Sequence, residues 1–239
     1  MRIYLKDYNM EKNLSQVLRE NMRSDGKRFW AGDNVSEYIL DKDKEILINE
    51  ATEAFEKVLD ALLIDRETDP NSKGTARRLA KMYYNEIMAG RYDPAPDCTA
   101  FPNDSEERYE GMLVVRSELK SLCSHHHQPV RGVAYIGIIP GNKVIGLSKY
   151  TRIAQWHARR GTLQEELCNQ IAKSIKDATE SPDVAVYIAA KHGCCENRGI
   201  MAQSSLTQTT VLHGQFHEAS VKKEFFDNIA LQQSYGEKL

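Results

Sequence analysis

The sequence predicts an α+β protein: a largely antiparallel sheet covered on one face by helices. Three observations predict it. Segments with a helical apolar period alternate in blocks with short β-branched runs, in the order helices, strands, helices, strands, helix. Gly, Pro and Asn punctuate the β-rich blocks at hairpin-like intervals. The 239 residues are 41% hydrophobic and 28% charged, a mixture that can bury a full core without disulfide staples.

The first forty residues are polar and weakly patterned. Glu11 to Met22 reads as a short helix through Leu14, Val17 and Leu18, and Arg23 to Asn34 as a loop. The stretch is either a partner-contacting arm or a plain surface helix. We therefore divide the chain into an extension over 1–41 and a main domain over 42–239. From Lys42 a helical period sets in: Ile48, Ala51, Phe55, Val58, Leu59 and Leu62 share a face. A turn at Asp69-Pro70-Asn71 precedes a second helix over about Lys73 to Met88, with Gly90 as its stop. Three prolines make 93–108 a long loop.

Strands are expected over Gly111 to Leu119, Val130 to Pro140 and Lys143 to Leu147, with a turn at Asn142. Arg152 to Arg160 reads as a helix. Leu163, Leu167, Ile171 and Ile175 recur every four residues, so Thr162 to Thr179 is another. Val184 to Ala190 and Thr207 to His217 read as strands, and Phe225, Ile229 and Leu231 suit a final helix.

The net charge of −2 gives no global field for nucleic acid, so any anionic ligand must meet a local group of cations. No apolar run approaches the roughly 20 residues that cross a bilayer, and the first ten residues lack a signal-peptide core. Five cysteines, an odd number, argue for reduced thiols rather than a disulfide framework. These features together suit a cytoplasmic protein.

The densest chemical signal is Ser121-Leu-Cys-Ser-His-His-His-Gln128. Cys123 and His126 are three apart, so one tight turn can aim thiolate and imidazole at one ion, the ligand types zinc prefers. A second cluster, Lys191-His-Gly-Cys-Cys-Glu-Asn-Arg198, follows an expected strand. Neither is a CxxC knuckle. One pair plus a distant thiol suggests three ligands and an open fourth position, the catalytic pattern. The plainer reading is a surface histidine run with buried thiols. A third signal is cationic: Arg78, Lys149, Arg152 and Arg198, each near a loop or helix start. Glu165 could accept two parallel hydrogen bonds from the N–H edge of guanine, or merely favour its helix start.

These residues resemble the GTP cyclohydrolase I family. Ser121-Leu-Cys-Ser-His-His resembles the family's S-x-C-E-H-H, and Gly146-Leu-Ser-Lys-Tyr-Thr-Arg-Ile153 its G-L-S-K-x-x-R-I. Arg159-Arg160 with Gln164-Glu165 resembles R-R-x-x-x-Q-E, and Lys191-His-Gly-Cys194 with Arg198-Gly199 resembles x-H-x-C-x-x-x-R-G. Thr75 to Met82 resembles a T-P-x-R-x-A-K-M helix. Order and spacing agree from about Lys42 to Ile229.

The resemblance implies the tunnelling fold, with subunits joined through their strands into a ring and two pentameric rings stacked as a homodecamer. It implies Zn2+ on Cys123, His126 and Cys194, and water activated to attack C8 of GTP. His125 would donate to N7 of the guanine, His192 would serve as acid and base on the ribose, and Ser148 would relay protons. Gln164 and Glu165 would hold the purine edge, and Lys149, Arg152, Arg198 and a neighbour's Arg78 the triphosphate. The products would be formate and 7,8-dihydroneopterin triphosphate, feeding pterin, folate or 7-deazaguanine synthesis. A non-catalytic zinc-stabilised ring binding a pterin, nucleotide or partner is the alternative. A nitrile reductase of the same fold fits less well, because the cysteines here sit in the zinc motif.

Ser124 departs from the family's Glu, and His127 and Cys195 from its usual residues there. Outside the motifs, His157, His213 and His217 suit surface or strand roles, Cys98 and Cys168 structural ones. Trp156 should pack on its helix.

Overall fold

The computed structural model describes residues 13–236. Residues 1–12, which include residues 11 and 12 of the expected first helix, lie outside them. The chain divides into two compact units at Pro94 and Ala95. No helix among the described residues is long and apolar enough to cross a membrane.

The first unit is helical. Its first helix, α1, spans Leu14–Ser24, α2 spans Asp43–Ala61 and α3 spans Thr75–Met82. The chain then takes a π-helical turn over Tyr83–Ile87 before α4, Ala89–Tyr92. Helix starts leave backbone N–H groups without partners. Here the Glu50 carboxylate of α2 accepts from the N–H groups of Leu14 (2.6 Å) and Ser15 (3.1 Å), so the first turn of α1 is anchored on α2. The loop before α2 is tied down as well. The Arg91 guanidinium donates to the carbonyls of Phe29, Ala31 and Asp33 at 3.0, 3.2 and 2.9 Å. The described part of the N-terminal extension is thus integrated into its own unit.

The second unit holds the sheet. Strands β2 (Leu113–Leu122), β3 (Pro129–Ile138), β5 (Val184–His192) and β6 (Thr207–Leu212) run antiparallel in the order β2-β3-β5-β6. A separate two-stranded ribbon pairs β1 (Ala100–Pro102) with β4 (Lys143–Ile145). Helices α5 (Leu147–Ala158) and α6 (Gln164–Thr179) bury one face, where Ala134, Ile136 and Ile138 of β3 and Val184, Val186 and Ile188 of β5 meet Ile153, Leu167, Ile171 and Ile175. This is the helical cover the sequence predicts. The last helix, α8 (Ala219–Gly236), adds to it on the other face, where Phe225 and Ile229 pack with Tyr135, Ala185, Tyr187 and Phe216.

Register positions the site. Leu122 pairs with Pro129, and Val130 pairs with His192. The β2–β3 turn and the end of β5 therefore share one end of the sheet. There the chain passes directly from β5 into a short helical turn, α7, Gly193–Glu196. A Cβ on Gly193 would stand 2.9 Å from the Pro129 carbonyl oxygen, so only glycine lets α7 approach β3 this closely.

The structure redraws several boundaries. Helix α5 begins at Leu147 rather than Arg152, because Gly146 already holds the extended cap conformation. Strand β6 ends at Leu212 and gives way to a 3-10 turn over Gly214–His217. The ribbon strand β1 lies inside the segment expected to be loop. His157 is neither surface nor strand: it is buried on α5.

Candidate functional site

The site is built at the β2–β3 turn. Cys123 follows β2 directly, and its N–H donates to the Gln128 carbonyl at 2.9 Å while its carbonyl accepts from the His127 N–H at 2.8 Å. These two bonds close the loop so tightly that His127 takes a left-handed conformation, with φ of 50°. Three histidines are thereby fanned over a buried thiol, with all three rings exposed. The Nδ1 of His125 lies 3.8 Å from the Cys123 sulfur.

From the other side, α7 carries Cys194 to the same place. Among the described residues one group of three metal-capable donors forms: Cys123, His126 and Cys194, whose donor atoms all lie within 4.8 Å of one another. Donors bound at about 2.3 Å to a common ion stand at most about 4.6 Å apart. The group is therefore nearly closed to ligand spacing, and two sulfurs with one imidazole suit a zinc-like ion. Cys195 is not in the group, although its sulfur lies 4.0 Å from that of Cys194.

The two thiols differ electrostatically. Burial works against ionisation of Cys123, but the backbone N–H groups of His126 and His125, with Cys194 and the His125 ring, outweigh it and hold the thiol below its ordinary value. Cys194 is pushed up to about 11 by burial and by the neighbouring sulfurs of Cys123 and Cys195. Cys123 is thus the easier of the two thiols to ionise, and a cation would favour ionisation of both.

His192 ends β5 and is half-buried. Its Nε2 lies 2.8 Å from the Gln164 carboxamide oxygen. Burial lowers its basicity, while the charges of Glu165 and Glu196 oppose that shift. Gln164 opens α6 and is buried; its amide nitrogen donates to the Thr207 carbonyl (3.1 Å), the Ile188 carbonyl (3.3 Å) and Thr209 Oγ1 (3.2 Å). Glu165, next on α6, is exposed. Arg198, also exposed, donates from Nη1 to His126 Nε2 at 2.9 Å.

Other expected site residues are carried by α5 and by the first unit. Ser121, one residue before the end of β2, donates from Oγ to the Ala158 carbonyl at 2.7 Å, which fixes the C-terminus of α5 at the metal end of the sheet. The 12 residues of α5 rise 1.5 Å each, about 18 Å in all. Ser148 and Lys149 therefore lie toward the opposite end and Arg152 near the middle, and Lys149 Nζ donates to the Asp97 carbonyl at 2.7 Å. Arg78 belongs to the first unit, where its guanidinium donates to the carbonyls of Lys73 and Asn71 and to Thr75 Oγ1. The sequence offers no sign of the Gln164–His192 and Arg198–His126 bonds, which cross from one element to another.

A model of the GTP cyclohydrolase I family matches residues 51–230. GTP cyclohydrolase 1 of Flavobacterium johnsoniae is 37% identical over 198 residues, covering 82% of this chain and 86% of the relative. GTP cyclohydrolase 1 of Aeromonas salmonicida is 39% identical over 165 residues (68% and 75% covered), and that of Buchnera aphidicola subsp. Schizaphis graminum 37% over 194 (79% and 85%). Among solved structures, the apo form of the archaeosine synthase QueF-Like superposes with a TM-score of 0.36 at 16% identity, covering 43% of this chain and 93% of that one. With the family matched over most of the chain and the donor group assembled within it, the chain belongs to the GTP cyclohydrolase I family.

Proposed function

We propose that this chain is a zinc-dependent GTP cyclohydrolase I, converting GTP and water to 7,8-dihydroneopterin triphosphate and formate. The observation that carries the reading is the convergence of Cys123, His126 and Cys194 at one end of the sheet, with His125 and His192 beside them. Zinc on those three donors supplies a Lewis acid that makes water nucleophilic near neutral pH.

The chain's own residues supply the rest. C8 of a neutral purine is a poor electrophile, and His125 donates to N7 to correct that. Opening of the imidazole ring releases formate. His192 then moves protons on the ribose as it opens, with Ser148 as relay in the rearrangement and closure. Glu165, exposed beside His192, accepts from the guanine N–H edge, with Gln164 behind it.

Lys149, Arg152, Arg198 and Arg78 neutralise the triphosphate. The placement of Ser148 and Lys149 toward the far end of α5 supports a site shared between copies, in which a neighbour's α5 meets this chain's donor group. A homodecamer of two stacked pentameric rings supplies that arrangement. Thiol ligands need to stay reduced, which suits the cytoplasm.

The test is incubation of purified, metal-analysed protein with GTP, following formate and the fluorescent oxidised pterin. Stoichiometric zinc and equal yields of the two products are expected. Zinc-loaded protein that binds GTP and releases no formate would overturn the reading in favour of a binding ring.

A further inference from the structure

Gln164 is buried at the start of α6, and its carboxamide is fully engaged. The nitrogen side faces the Ile188 and Thr207 carbonyl oxygens. Carbonyl oxygens only accept, so the amide must present N–H there; the flipped amide would set oxygen against oxygen twice. The carboxamide oxygen is consequently the atom turned to His192, 2.8 Å from Nε2. That oxygen has no hydrogen to give, so Nε2 must carry one. In a neutral imidazole the second nitrogen, Nδ1, is then the bare acceptor.

We propose that Gln164 is a positioning residue for His192: braced on the backbones of β5 and β6, it accepts from Nε2–H and so sets the tautomer and the orientation of the ring. The inference rests on the reading of His192 as the acid and base on the ribose. The same bond fixes the ring plane, because rotating the ring would break it.

A guanine contact and a positioning residue predict different kinetics. Gln164→Ala should lower kcat by about 10- to 100-fold, as expected for loss of an outer hydrogen-bond partner of a working histidine. KM for GTP should change less than about threefold, and zinc content should not change. In a His192→Ala background the same substitution should cost almost nothing further, because its effect runs through the missing ring. A large rise in KM with kcat retained, or an equal fall in both backgrounds, would overturn the proposal.

Gln164 also straps two strands, so the variant could fail to fold, and His192→Ala could be too slow to measure. The unmodified protein decides in either case. Solid-state 15N spectra of histidine-labelled wild type, minus those of His192→Asn, should show a neutral His192 protonated at Nε2. Protonation at Nδ1 instead would overturn it. This measurement needs no turnover, so wild type that makes no formate while His192 carries its hydrogen on Nε2 would sink the catalytic reading and leave the bracing geometry intact.

Discussion

His157 and His192 lie in the same unit, each with Nε2 held by a neutral side-chain oxygen, yet their surroundings differ in kind. His157 is buried on α5, with Ser174 Oγ 2.7 Å from Nε2; burial first, and then the Arg160 guanidinium, push its basicity down to about 3. His192 stands half-buried at the sheet end, where Glu165 and Glu196 oppose the effect of burial. The cation beside His157 adds to the effect of burial and the carboxylates beside His192 subtract from it, so both rings are held below the ordinary value and His192 with less help from its neighbours. The helical layer keeps its histidine neutral as a packing group. The strand end leaves its histidine half-buried, with carboxylates near it. Function and stability should therefore separate between these two regions under mutation.

The largest effect is expected at the strand ends. Cys194→Ala should lose the metal and at least about 1,000-fold in turnover together, since a bound ion is what activates water in this reading. Metal analysis beside formate yield checks it, and full zinc with full turnover would remove Cys194 from the ligand set. In the helical layer the pattern should invert. Ile171, fully buried on α6, has no part in the chemistry. Ile171→Ala should cost about 2–5 kcal/mol in urea unfolding through the cavity it leaves. Turnover per zinc-loaded folded chain should stay within about twofold of wild type.

That separation was only partly visible in the sequence. The four-residue recurrence of Leu167, Ile171 and Ile175 announces the buried face of α6, because a helix period is a local property. The three-residue spacing of Cys123 and His126 announces half a metal site for the same reason. Cys194 is different: 71 residues separate it from Cys123, and only the pairing of β3 with both β2 and β5 brings the two together. Family motifs supplied that pairing where spacing could not. Gln164 shows the limit. The sequence shows only a polar residue at a helix start, and the strand carbonyls beneath it come from the fold. The short ribbon strand β1 was hidden for a related reason, since three exposed residues ending in proline carry no period to read.

A smaller effect should follow from His157 itself, and its sign is fixed. A histidine whose folded value lies below its unfolded value of about 6.5 favours the unfolded chain once protonated. Its contribution to stability is therefore whole above about pH 6.5 and is lost as pH falls towards about 3. The loss should approach about 1.4 kcal/mol per pH unit in that window. His157→Gln retains a polar group for Ser174 and cannot be protonated. Between pH 6.5 and 5, urea midpoints of wild type should fall more steeply than those of His157→Gln by up to this slope. Parallel curves would mean that the layer does not hold His157 neutral.

The smallest effect brings the comparison down to two adjacent sulfurs. Cys194 and Cys195 share the short turn α7, but successive residues of a helical turn point about 100° apart. With Cys194 aimed at Cys123 and His126, Cys195 is aimed elsewhere, and it falls outside the donor group although its sulfur is only 4.0 Å from its neighbour's. Its sulfur helps push the Cys194 thiol up, so its removal should make that thiol slightly easier to ionise. Cys195→Ser should accordingly keep full zinc and change turnover by less than about twofold. Loss of zinc on this change, with zinc retained by Cys194→Ala, would exchange the roles of the two thiols and require α7 to be turned by about one residue from the orientation described.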